Sequence, residues 1–346
     1  MRDFGRAAAP LFTACWMAGC ASGPGDSPGP AADEPGDRAV RADPGGAPLD
    51  LTGTVAPEHA CAGEVVRRGG QAFLALPDGS LVARAPLRPV ADGAPYAYHP
   101  DDLAGGAILH RCNAGEVRLP DGTAYEGAAS NAVCTGRFAR DAAAIEAAGW
   151  ADPSVGAIRW HGVAAEGSAR VAGQRVPRVR PLVGETGFYV SQTALTDAAY
   201  PISDPRRYAD AASVPYAAVR RDQGVALGSY GVAYRTRGCG ARRACDPVPF
   251  VVADHGPRAG AGSLALSYAV SGLALPERFD ARNRYRGRAG PGDVLTVFFG
   301  GEGERAPLDA ASVRERADEA FEAWGGEDRL YRCRRVDVPM LDGEAS

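Results

Sequence analysis

The residues best placed for chemistry lie in Val248–Gly272, VPFVVADHGPRAGAGSLALSYAVSG, where an apolar run ends on Asp254 and passes through a Gly-Pro turn into a Gly-rich loop. A carboxylate at the end of an apolar strand is poorly solvated. Its neutral form is favoured, its pKa rises, and it becomes suited to proton transfer near neutrality. The competing role is structural, because Asp before a Gly-Pro turn commonly caps that turn. Five histidines occur, His59, His99, His110, His161 and His255. None has a metal-site spacing, no CxxC, HxH or HExxH is present, and no GxSxG elbow marks a nucleophile. Each histidine reads as a solvated or turn-forming side chain, and no metal or other cofactor is expected. All 38 basic residues are Arg. Schiff-base, pyridoxal-phosphate and P-loop chemistry, which need a lysine amine, are therefore excluded for this chain.

The elements that must position Asp254 read as mostly β. Gly and Pro number 45 and 27 in 346 residues, which implies many turns between short strands, and 45% apolar content is enough for a real core. Strand-like runs are Gln71–Leu76, Gly187–Ser191, Val214–Val219, Val225–Arg235, Pro249–Ala253 and Val294–Phe299, rich in β-branched and aromatic residues between turn signals. Two helices are predicted, Arg140–Ala148 and Ala310–Trp324. The second has Asp309 or Ser312 as cap, a Ser312-x-x-Glu315 capping box, and Val313, Ala317, Ala320, Phe321 and Trp324 on one stripe. Residues 263–272 fit either a strand or a helix, and the irregular stretch 51–187 reads as an elaboration of the same domain.

The N-terminal residues carry an address. Arg2 and Arg6 precede an apolar stretch that closes on Met17-Ala18-Gly19-Cys20, the pattern of a secretory signal. Cys20 after Ala-Gly resembles a bacterial lipobox, which implies lipidation at Cys20 and an anchor in the cell envelope. Residues 1–19 are thus the expected signal, 20–50 a flexible Pro/Gly/Asp-rich tether, and 51–346 the folded domain. The domain keeps 34 Arg against 35 acids, so its net charge offers no signature for nucleic acid. Six cysteines remain after Cys15 and Cys20, enough for three disulfides in an exported domain. Cys239 and Cys245 flank GARRA between two strand-like runs and are the expected local bridge, while the pairing of Cys61, Cys112, Cys134 and Cys333 stays open.

Several stretches, in order, resemble the glycoside hydrolase family 75 chitosanases and their bacterial relatives. ADGAPYAYHPDDL (Ala91–Leu103) resembles the family's Asp-Gly-x-Pro-x-Ala-Tyr segment, and GFYVSQTALTD (Gly187–Asp197) its Phe-Tyr-Val-Ser-x-Thr-x-Leu run. DPRRYADAASVPYAAV (Asp204–Val219) resembles its Arg-Tyr-Val-Asp stretch before Val-Pro-Tyr. GVALGSYGVAY (Gly224–Tyr234) resembles its Leu-Gly-Asp strand, with Ser229 at the Asp. VADHGPRAGAGSLAL resembles its Asp-x-Gly-Pro…Gly-Glu-x-Ser-x-Ala-Leu signature. The likeness is clearest over 187–300.

The resemblance implies a double-psi-like β-barrel with a few peripheral helices and the Ala310–Trp324 helix outside. It also implies endo-hydrolysis of β-1,4-linked glucosamine polymers with inversion, and the chain is expected to act as a monomer. Asp254 takes the place of the family's catalytic Asp, and Tyr189, Ser191, Gln192 and Thr193 are candidates for the sugar cleft, although alternate residues of a strand face inward. The family's Glu does not carry over: Ala261 stands there. Inverting hydrolysis needs a second carboxyl group to activate water, and alanine has none. Glu185, Asp92, Asp210 and Glu302 are the candidate replacements. If none of them faces Asp254, the expectation becomes a protein that binds glycan without cutting it, or an envelope protein with no sugar role.

Overall fold

In the computed structural model of the chain, the described residues are 61–150, 152–171, 174–177, 187–237, 245–256, 260–303 and 307–340. The signal, Cys20, the tether, Glu185, His59 and Cys239 lie outside them. Thr54–Ser346 forms a compact unit of its own.

The strands are β1 (Glu64–Arg68), β2 (Gln71–Ala75), β3 (Leu81–Val90), β4 (Gly115–Arg118), β5 (Ala124–Glu126), β6 (Ala157–Trp160), β7 (Ala165–Val171), β8 (Gln174–Pro177), β9 (Tyr216–Val219), β10 (Tyr230–Arg235), β11 (Val248–His255), β12 (Ala261–Ser263) and β13 (Ala289–Phe298). The helices are α1 (Ala139–Ala147), α2 (Leu264–Val270), α3 (Ala310–Trp324) and α4 (Gly326–Arg335). Strands β3, β12, β9, β11, β10 and β13 pair in that order, and β13 pairs back to β3, closing a six-stranded barrel. It is mixed, with β12 parallel to β3 and β11 parallel to β9. The expected mainly β barrel with few helices is therefore what the chain forms. β4, β5 and β6 make a separate small sheet.

Alternation along the strands divides the apolar residues into two sets. Leu81, Ala83, Ala85 and Leu87 of β3, Phe250 and Val252 of β11, and Val294 and Phe298 of β13 fill the barrel. Val82, Val232, Leu295 and Val297 point outward and bury Phe321 and Trp324 of α3 with Leu330 of α4. A third cluster joins the outward-facing Tyr216, Val251 and Ala253 to Ile158 and Trp160 of β6, to Ile145 of α1 and to Phe138 just before it. Gly231 of β10 makes room inside the barrel, since a Cβ there would stand 2.5 Å from the Phe250 ring.

Five expectations are corrected or refined. Gly187–Ser191 is an extended connector with an isolated bridge from Ser191 to Val163 and forms no named strand. Scattered backbone bonds, from the Tyr189 N–H to the Tyr98 carbonyl and from the Ala164 N–H to the Val190 carbonyl, and the Ser191 hydroxyl hold it in place of a ladder. The run from Val225 becomes strand only at Tyr230, after a turn in which Ser229 Oγ donates to the Ala226 carbonyl at 2.7 Å. Residues 263–272 are both things in part: Ser263 ends β12 and then caps α2 by accepting from the Leu266 N–H. Helix α3 has its expected span, but Asp309 alone is its cap, accepting from Ala311 and Ser312, and Ser312 lies within the helix. The first expected helix is Ala139–Ala147, preceded by a π turn over Val133–Phe138.

Two disulfides join Cys61 to Cys333 and Cys112 to Cys134. Cys245 is also disulfide-bonded. Such bonds persist in oxidising, extracytoplasmic surroundings. Among the described residues no helix is long and apolar enough to cross a membrane.

Candidate functional site

Asp254 is the penultimate residue of β11. Against β9 the register runs Val251↔Tyr216, Val252↔Ala217, then Asp254↔Ala218, so Ala253 is the extra residue of a bulge. A bulge re-aims the end of a strand. Here it puts Asp254 opposite Ala218, on the outer face that Tyr216 shares, instead of continuing the inward series of Phe250 and Val252.

Asp92 reaches the same face from the loop that leaves β3. Tyr98 donates its hydroxyl to Asp92 Oδ1 at 2.7 Å, and Tyr216 donates its own to the Asp92 backbone carbonyl at 2.7 Å. Gly162, just after β6, leaves space for the carboxylate: a Cβ at 162 would lie 2.7 Å from Asp92 Oδ1 and 3.0 Å from Tyr98 Oη. Gly93 packs against the Ala209 carbonyl with positive φ (82°), a combination open to glycine alone.

The connector 191–195 ties the two aspartates into one frame. Ser191 Oγ accepts from the Gly93 N–H at 2.9 Å and donates to the Gly162 carbonyl at 3.1 Å. Thr193 Oγ1 accepts from the Ala209 N–H at 3.1 Å and donates to the Leu195 carbonyl at 2.8 Å. The Ala194 N–H then donates to Asp254 Oδ1 at 2.9 Å, and the Leu195 N–H to the Ala253 carbonyl at 2.8 Å.

The electrostatics follow from this enclosure. Burial first, and the negative charge of Asp92 second, push the Asp254 carboxyl up to about 7, against N–H donors from His255 and Ala194 and the charge of Arg221. Burial pushes Asp92 up to about 6, opposed by the Tyr98 hydrogen bond and the charge of His161. Both side chains nevertheless keep partial solvent contact, and exposed Ala194, Arg221 and His161 mark the open side. Burial also holds the Tyr98 and Tyr216 hydroxyls well above the usual tyrosine range, so they remain neutral donors. At neutral pH the pair offers one carboxyl that is about half protonated and one that is mostly ionised, a difference that sets an acid apart from a base.

The other sequence candidates divide between the frame of the site and positions away from it. Tyr189 is only 2% exposed and tilts against Trp160 with ring centres 5.9 Å apart. Ser191 and Thr193 are buried and act as the frame just described. Gln192 faces outward, its amide donating to the His161 carbonyl at 3.0 Å. Asp210 accepts from the Ala212 N–H and the Ser213 hydroxyl and lines a separate cavity of about 290 Å³ with Tyr200 and Tyr208. Glu302 lies on the rim of another cavity, of about 340 Å³, beside Ser229 and Trp324. His99 and His110 stay with local partners, at Asp101 and Asp102. Among the described residues no group of three or more His, Cys, Asp or Glu is arranged to hold a metal ion. Tyr98, Tyr216 and Gly162 were not singled out as site residues by sequence; Tyr98 and Tyr216 lay only within the stretches that carry the family resemblance.

Ala261 is 7% exposed and sits on β12 opposite Ala218, which on its other side faces Asp254. The three residues thus form one row across adjacent strands on the outer face. Fold and site together define a six-stranded mixed barrel bearing a two-aspartate site on its outer wall. No protein-family model and no curated protein matches this chain.

Proposed function

We propose that this protein is an acid–base glycoside hydrolase of chitosanase-like type, with Asp254 as general acid and Asp92 as general base. The observation that carries this reading is the second carboxylate: Asp92 shares the face of Asp254 and shifts its pKa, supplying what Ala261 lacks. Asp254 protonates the departing glycosidic oxygen, and Asp92 takes a proton from the water that attacks the anomeric carbon. Tyr98 keeps Asp92 ionised by donating to Oδ1. The resemblance to family 75 chitosanases supports a glucosamine polymer as substrate. The lipobox-like Cys20 and the disulfides support a lipid-anchored protein of the bacterial envelope, working as a monomer on a polymer outside the cytoplasm.

The test is reducing-end release from soluble chitosan by residues 54–346, beside Asp92→Asn and Asp254→Asn. Activity in the parent that both variants lose supports the reading. A folded, silent parent that still binds chitosan shifts it to a glycan-binding protein that does not cut, the reading that Ala261 favours.

A further inference from the structure

The folded domain is nearly balanced in charge, but Gly272–Arg288, GLALPERFDARNRYRGR, holds five Arg against two acids. The segment leaves α2 and returns to β13 as a built loop. Phe279 is buried edge-on against Tyr268, with ring centres 4.9 Å apart, and the Tyr268 hydroxyl donates to the Asn283 carbonyl at 2.7 Å. Asp280 Oδ1 accepts from the N–H groups of Arg282 and Asn283, and the Asn283 amide donates to the Arg278 carbonyl at 3.0 Å. Two arginines serve as struts. Arg278 stacks over Tyr96 at 4.3 Å and donates to the Gly106 carbonyl, and Arg284 donates to the Ile108 carbonyl.

The remaining three, Arg282, Arg286 and Arg288, are exposed, and among the described residues no hydrogen bond or ion pair holds their guanidinium groups. The same loop exposes Leu273 (40%), Leu275 (46%) and Tyr285 (49%), three of the large apolar side chains most open to solvent. Exposed cations, of which Arg282 and Arg286 are partly balanced by Asp280, share this loop with exposed leucines and with Tyr285, whose ring carries the Arg284 guanidinium. The combination matches the requirements of an anionic lipid surface, charge for the headgroups and apolar side chains for the acyl boundary.

We propose that Gly272–Arg288 docks the domain on anionic phospholipid, with Arg282, Arg286 and Arg288 on the headgroup phosphates and Leu273, Leu275 and Tyr285 in the interface. A soluble polyanion satisfies the arginines equally well but leaves the leucines without a role, so the lipid surface is the better fit. The inference rests on the loop alone and does not depend on Asp92 or Asp254.

The test is sedimentation of residues 54–346 with phosphatidylcholine vesicles, alone or mixed with phosphatidylglycerol. The parent pellets with the mixed vesicles, and added salt releases it by screening the charges. Arg282→Gln, Arg286→Gln and Arg288→Gln together lower partitioning on the order of 100-fold. The matching triple Lys variant retains binding, because point charges suffice for headgroups. Leu273→Ser with Leu275→Ser weakens binding without changing the far-UV circular dichroism. Equal partitioning of the Gln triple variant, or equal binding to phosphatidylcholine alone, overturns the proposal. So does binding to soluble poly(glycerol phosphate) without vesicle sedimentation, which assigns the loop to a soluble polymer.

Discussion

The negative charge of Asp92 helps hold the Asp254 carboxyl up at about 7, although one residue lies two positions past the end of β3 and the other is the penultimate residue of β11. Interacting sites of this kind titrate as a pair, so the two values belong to the site and not to either residue. In the proposed roles, the site as a whole still holds about half a proton at pH 7 on the Asp254 side while Asp92 has mostly lost its own.

The first prediction is a bell-shaped pH–rate profile for chitosan cleavage, with limbs near 6 and 7. Asp92→Asn removes the acidic limb and Asp254→Asn the alkaline one, each with a loss of about 10²–10⁴-fold in rate. A profile flat from pH 5 to pH 8 would sink the assignment, as would full activity in Asp92→Asn.

Gly162→Ala is a sharper probe of geometry. The added methyl group stands 2.7 Å from Asp92 Oδ1 and must push the carboxylate or the Tyr98 hydroxyl aside. A displacement of that kind costs about 10²-fold in kcat. The backbone at 162 has no positive φ to lose, so the far-UV spectrum should match the parent's, while overpacking the closed site lowers stability by about 1–3 kcal/mol. Unchanged kcat would mean that Asp92 Oδ1 takes no part in the chemistry.

Ala261→Glu separates the two routes to a second carboxylate. Strands lie about 4.8 Å apart, so a glutamate at 261 stands roughly 10 Å along the row from Asp254. If Asp92 is the base, a third carboxylate lowers activity or moves the optimum upward in pH, and burying it costs about 1–3 kcal/mol. A large gain in chitosan cleavage would instead show that the missing glutamate is what the site lacks.

Stability should depend on the same pair. An ordinary aspartate loses its proton near 3.8, whereas Asp92 and Asp254 hold theirs to about 6 and about 7 in the folded state. Between those values the folded protein binds more protons than the unfolded chain, so the contribution is complete below about 4 and is lost as pH rises through 6 and 7. Thermal melts should show Tm falling across that window, and Asp254→Asn should be more stable than the parent at pH 8 by about 1 kcal/mol, partial solvent contact reducing the effect. A parent whose Tm rises steadily from pH 4 to pH 8, matched by Asp254→Asn, would contradict this.

Reductant should destabilise the domain chiefly through Cys61–Cys333, which spans 272 residues of sequence, against 22 for Cys112–Cys134. Losing either bridge costs about 2–5 kcal/mol, with the longer loop toward the upper end. Paired Ser substitutions followed by urea titration measure each cost, and equal midpoints with and without reductant would count against a structural role.

Much of this architecture was legible from local chemistry. Gly and Pro punctuation announced short strands, the Val313–Trp324 stripe announced α3, and an apolar run ending on Asp254 announced a perturbed carboxylate, because each signal depends only on neighbours within a turn or a strand. β3 was not among the expected strands, and it holds Pro86 and Pro89, residues that disfavour a strand interior; in the barrel the β3–β13 register is irregular between Leu87 and Ala85, across Pro86. Tyr189, Ser191 and Thr193 looked like cleft residues, but a connector carries no side-chain period that separates inside from outside. The second carboxylate could only be narrowed to Glu185, Asp92, Asp210 and Glu302. Choosing among them depended on the β11 bulge, the closure of β13 onto β3, and a glycine at 162 small enough to admit Asp92. These are contacts between residues far apart in the chain, and their energies depend on burial and charge proximity that exist only once the barrel has closed.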